Sequence, residues 1–98
     1  MSDNFNRLTH AETERLAMLA EEAGEIVQMV GKILRHGYES YHPEDKEQVT
    51  NRVLLRNEIN DLMGVVHGMV LFNDLSPLTF FDTETAWYRK LKYSHHQK

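Results

Sequence analysis

The chain has 98 residues, 41% of them hydrophobic, and a formal net charge of −4; that length makes one small domain spanning residues 1–98, near the lower limit for burying a sufficient core alone. The absence of cysteine excludes disulfides and thiolate metal sites, and no apolar run approaches a membrane span or a signal-peptide core, so a cytoplasmic protein is the expectation. The acidic balance argues against a nucleic-acid surface, and the small core makes self-association an expectation.

Residues 1–8 read as a frayed arm. Thr9 with Glu12 makes a capping-box pattern, and the run from His10 to about His36 is rich in helix formers, with Gly37 suited to the position just past the end. One long helix is predicted. At roughly 100° per residue, Leu16, Ala20, Ala23, Val27, Val30 and Leu34 fall within about 40° of one direction and form the expected core seam. Leu19, Ile26 and Ile33 extend it on one side, with Met29 and Met18 further round. Glu22 lies about 120° from the seam centre, between Ile33 and Met29, inside this apolar arc. Glu21 and Glu25 sit at the arc's far margin, and Lys32 follows on the same stripe.

A polar loop occupies Tyr38 to Val49, where Pro43 blocks helix continuation and a short helical turn can follow it. Thr50 or Asn51 caps a second helix running to about Phe72. Around Glu58, the residues Leu54, Leu62, Val65 and Met69 all fall within roughly 40°. Ile59, Val66 and Val70 widen this face, Asp61 sits about 60° away on the other side, and Arg56, Asn60 and His67 occupy the polar face. An unpaired ionised carboxylate at the middle of a buried stripe is strongly unfavourable, so Glu58 must be protonated, paired or metal-bound.

Ser76 and Pro77 make a good cap and first residue for a third helix, which continues to about Tyr93 with a break allowed near Asp82. Residues 94–98 read as a solvated tail. No strand pattern or repeat appears, so the architecture is all-α.

Five acids therefore cluster on two apolar helices. They hold most of the acidity, since the other ten Asp and Glu nearly balance the 11 Lys and Arg. Glu22 with Glu25 and Glu58 with Asp61 are each three apart on a helix, hence neighbours. Two facing claws of this kind supply oxygen ligands for a hard cation such as Mg²⁺ or Mn²⁺. E-E-x-x-E alone also occurs on ordinary solvated faces; the apolar setting separates the two readings. Lys32 and Arg35 can contact phosphate or simply complement the helix C-terminus. The histidines do not form a metal constellation, because Glu39 and His42 lie in a loop, His67 is on the polar face and His95–His96 is in the tail. Gly64 and Gly68 lie near the Asp61 side and read first as helix-packing glycines. Phe80, Phe81, Trp87 and Tyr88 read first as core, with stacking on a base as the rarer role.

E-E-A-G-E followed by E-I-N-D resembles the E-E-x-x-E and E-x-x-D signature of the MazG-like, all-α nucleoside triphosphate pyrophosphohydrolases, over about Leu16 to Met69. The resemblance implies a helical bundle of about three helices per chain, completed as a homodimer or homotetramer. It also implies attack of water on a nucleoside triphosphate, releasing monophosphate and pyrophosphate, with Mg²⁺ or Mn²⁺ present as two or more ions per site. Glu22, Glu25, Glu58 and Asp61 would then be metal ligands, and Glu21 a further ligand or the water-activating base. Lys32 and Arg35 would hold substrate phosphates. The gap of 32 residues between Glu25 and Glu58 is long for the family and falls in the Tyr38–Val49 loop, which bears on substrate identity. The K-I-L-R-H-G-Y-E-S run is similar to phage MazG-like enzymes, whose MazZ-like branch takes dGTP or GTP; a viral chain would work in the host cytoplasm. Beside this reading stand a broad-specificity house-cleaning hydrolase of the same kind and, from a different class, a non-catalytic helical interaction module whose acids pair with basic groups across an oligomer interface. A carboxylate-bundle oxidoreductase is disfavoured by the missing helical E-x-x-H pairs.

Overall fold

The computed structural model describes residues 5–97, and within them the chain is all-α. Helix α1 spans His10–His36, α2 Asn51–Leu71 and α3 Phe80–Lys90, followed by a single 3₁₀ turn, Leu91–Tyr93. The expected frayed arm lies partly outside the described residues; of its remainder, Leu8 is half-buried and joins Leu16, Met69 and Leu75 around a small cavity.

Local chemistry sets each boundary. Thr9 and Glu12 close a reciprocal capping box, Glu12 N–H donating to the Thr9 hydroxyl and Thr9 N–H to the Glu12 carboxylate. Gly37 ends α1 at φ +89°, a backbone region that side chains disfavour, and its N–H donates to Ile33 O. Thr50 caps α2 through the Val53 N–H. Asn73, in the left-handed region at φ +64°, turns the chain away after Phe72.

The α1–α2 loop holds no helical turn after Pro43. Asp45 instead organises tight turns, its N–H donating to His42 O while its carboxylate accepts from Glu47 and Val49 N–H. Both roots of the loop are fastened: Asn51 N–H donates to Ser40 O, Arg52 N–H to Tyr38 O, and the Asn51 side chain to Gly37 O. Asn51 is only 2% exposed. Arg52 also pairs with Glu39 at 2.7 Å and stacks over the Tyr38 ring.

Helix α3 starts later than the Ser76–Pro77 signal suggests. Thr79 is its cap, in a second reciprocal box with Asp82, so Asp82 belongs to the first turn and marks no break. These bonds, first from the Thr79 N–H and then from its hydroxyl, hold the Asp82 carboxyl below its usual pKa.

Helices α1 and α2 pack antiparallel, while α3 packs against neither. Their contact follows the flank of the apolar arc, with Leu19, Ile26, Met29 and Ile33 facing Leu54, Leu62, Val65 and Met69. The seam predicted as core is therefore displaced: Leu16, Ala20, Ala23, Val27, Val30 and Leu34 are exposed, Val27 at 70% and Leu34 at 82%. The arc on α1 is wider than one neighbouring helix can cover, and α2 covers the side that carries Glu22. Phe80, Phe81, Trp87 and Tyr88 are likewise exposed rather than core, because residues 72–79 carry α3 clear of the helix pair. Among the described residues, Met29 and Met69 are the buried apolar side chains.

Candidate metal centre

Antiparallel packing brings Glu22 of the first acidic pair against both members of the second, Glu58 and Asp61. Glu22 and Glu58, both half-buried, and the exposed Asp61 each offer an oxygen to one group whose atoms all lie within 4.8 Å of one another. A hard cation with oxygen bonds of about 2.0–2.6 Å spreads its ligands up to about 4–5 Å apart, so these three oxygens can hold one. Glu22 Oε2 and Glu58 Oε2 are buried and accept no hydrogen bond. Among the described residues, the ion pairs Arg15–Asp74 and Arg52–Glu39 leave the cluster untouched.

The electrostatics express the same crowding. Glu58 is pushed up to about 6, first by a hydrogen bond with Glu25, then by burial, then by the charges of Glu25, Glu22 and Asp61. Burial raises Glu22 first, with the charges of Glu25, Asp61 and Glu21 adding to it. Glu25, a ligand expected from the sequence, acts on both partners but stands outside the group of three oxygens. An all-oxygen donor set, unsatisfied buried lone pairs and mutual repulsion are what a divalent cation relieves. Glu21 is exposed and stands outside the group of three, acting on it through charge alone.

Open space flanks the cluster on both sides. Toward the C-terminal end of α1, a groove of about 450 Å³ is bordered by Glu25, Gln28, Met29, Glu58, Lys32 and Arg35. Lys32 also reaches a smaller cavity of about 210 Å³, with His36, Ser40, Tyr41, His42 and Asn51 around it. Both cations thus stand beside the carboxylates, with Lys32 half-buried and Arg35 exposed.

On the other side a broad groove of about 530 Å³ runs from Glu22 and Asp61 past Asn60 to Phe72. Among the described residues, no helix of the chain packs against Gly64 or Gly68. A Cβ at either position meets nothing within 4 Å, because both glycines face this groove. Arg15 closes its far end, held by Asp74 through two bonds, Nε–Oδ2 at 2.6 Å and Nη2–Oδ1 at 3.0 Å, with its guanidinium 4.7 Å from the Phe72 ring centre. The hydrogen bond to Arg15 outweighs burial and lowers the Asp74 carboxyl. The sequence reading passed over Arg15 and Phe72. Helical arithmetic could have found Arg15, which lies two turns before Glu22 on the same stripe.

No protein family, curated protein or solved structure matches the chain.

Proposed function

We propose that the chain is a metal-dependent pyrophosphohydrolase of the MazG-like kind, hydrolysing a (deoxy)nucleoside triphosphate with water to the monophosphate and pyrophosphate. The observation that carries this reading is the pair of buried, unpartnered oxygens of Glu22 and Glu58, in a carboxylate group that opens onto the Lys32–Arg35 groove through Glu58. Among the described residues, no basic side chain of the same chain pairs with those acids. Here the nearby cations line open space instead, as a polyanionic ligand needs.

Glu22, Glu25, Glu58 and Asp61 would hold Mg²⁺ or Mn²⁺, two ions or more. When bound, such ions neutralise phosphate charge and lower the pKa of coordinated water. Lys32 and Arg35 orient the departing phosphates. Of the two roles open to Glu21, proton acceptor from the attacking water fits its exposure beside Glu22 best. The guanine nucleotides dGTP and GTP are the first substrates to examine, ahead of a broad house-cleaning specificity.

The same reading makes the working unit a homodimer or homotetramer. The chain exposes 8520 Å², against about 5,800 Å² for a compact protein of its mass. Its radius of gyration is 17.2 Å, against about 13 Å for a compact chain of this length.

Pyrophosphate release across a panel of ribo- and deoxynucleoside triphosphates, with Mg²⁺, Mn²⁺ or EDTA, tests the proposal. Turnover requiring metal supports it. Failure to cleave any nucleotide with either metal refutes it.

A further inference from the structure

The two grooves beside the carboxylates differ in chemistry, and a substrate cleaved between its first and second phosphates has two unlike ends. Lys32 and Arg35 both stand on one side. On the other, the walls are Met18, Val65 and Phe72, and the one cation, Arg15, is already neutralised by Asp74. Glu22 and Asp61 belong both to this second groove and to the group of three carboxylates, so the groove opens directly from the cluster.

Its floor needs explaining. Glycine inside a helix is unfavourable relative to alanine, and α2 carries two, four residues apart on one face. Close helix packing is the usual compensation, yet a side chain at either position would meet no neighbour within the chain. What the two glycines do is lower the floor between Asp61 and Phe72. Phe72 is 66% exposed and its ring carries the Arg15 guanidinium on one face, leaving ring surface for a second planar group. Asn60 at the rim carries both a donor and an acceptor for a heterocycle edge.

Resting on the reading above, we propose that this groove receives the nucleoside end of the substrate. In it the base lies over Gly64 and Gly68 against Phe72, and Arg15 is a positioning residue that fixes the ring. The pyrophosphate end lies across the cluster, toward Lys32 and Arg35.

Gly64→Ala and Gly68→Ala, singly and together, test this, because each raises the floor while favouring the helix. Three quantities are measured: the melting temperature, KM for the best nucleotide, and inhibition by inorganic pyrophosphate. The expected result is an unchanged or higher melting temperature, KM raised about tenfold or more, and an unchanged inhibition constant for pyrophosphate. Phe72→Leu should raise KM in the same direction. A nucleotide KM unchanged in all three glycine variants overturns the groove assignment and leaves the proposed activity standing. Parallel weakening of nucleotide and pyrophosphate also overturns it. No turnover by the unsubstituted protein overturns both readings together.

Discussion

Val27→Asp separates a self-sufficient chain from an assembled one. On an isolated chain Val27 is 70% exposed, and a surface substitution there changes stability by no more than about 0.5 kcal/mol. The surplus surface argues for a different outcome. The 8520 Å² of accessible area exceeds the compact expectation by about 2,700 Å². An ordinary interface covers roughly 800 Å² per partner, so the surplus suits an obligate one. Burying a Val or Leu side chain contributes roughly 1.5–3 kcal/mol, and two-fold symmetry repeats every substitution. Val27→Asp should then weaken a dimer by about 3–6 kcal/mol, or roughly 10²- to 10⁴-fold in dissociation constant, before the desolvation of the new carboxylate. Leu34→Asp, at 82% exposure, should behave alike. Sedimentation velocity over a dilution series, with thermal melts on the same samples, reads both mass and stability. A multimeric parent and a monomeric, less stable variant are expected. A monomeric parent that melts cooperatively, or a variant of unchanged mass and midpoint, would refute the reasoning.

Three further outcomes follow. Glu58→Gln should abolish turnover and the metal-induced rise in melting temperature while melting above the metal-free parent, since it removes one of the crowded charges; near-normal activity in a folded variant would sink the ligand assignment. In metal-free protein Glu58 rises from 4.5 to about 6 and Glu22 also rises, so the folded state binds the proton more tightly. Their contribution to folding is complete below about pH 4.5 and is lost as pH climbs through about 6, whereas the lowered Asp74 and Asp82 lose theirs only as pH falls below their usual range. Urea unfolding across that window should show stability falling with pH, and less steeply in Glu58→Gln; a rise would contradict the sign. Asn51→Ala, which removes a buried donor to Gly37 O, should destabilise by about 1–3 kcal/mol, or roughly 4–8 °C per kcal/mol for a domain of this size, measured by calorimetry.

Periodicity located all three helices because their caps and apolar spacing are local properties. The facing residues of α2 were legible for the same reason: Glu58 sits at the centre of a narrow stripe, and that stripe is the one buried. On α1 the apolar arc is wide, and its centre proved to be exposed, since a sequence shows which residues are apolar without showing which neighbour covers them. The start of α3 was a contest between two good signals, Ser76–Pro77 and Thr79 with Asp82. The capping box satisfies two backbone donors reciprocally, and it prevailed. The carboxylate pairs were visible from spacing alone. The grooves beside them were not, because Gly64 and Gly68 are compatible with tight packing or with open space, and only a three-dimensional neighbour list distinguishes the two.

The fastening of the α1–α2 loop has a consequence for how such a chain tolerates change. The bonds from Asn51 and Arg52 to Gly37, Tyr38 and Ser40 lock the helices in register at the roots of the loop. A slip of one turn would move Glu58 about 5.4 Å past Glu22 and dismantle the carboxylate group. Everything between the roots is uncoupled from that register. Lengthening the exposed stretch around Lys46 should therefore alter the rim of the cavity beside Lys32 and His36 without disturbing the acids. Insertions there are a route to new ligand preferences on an unchanged carboxylate frame.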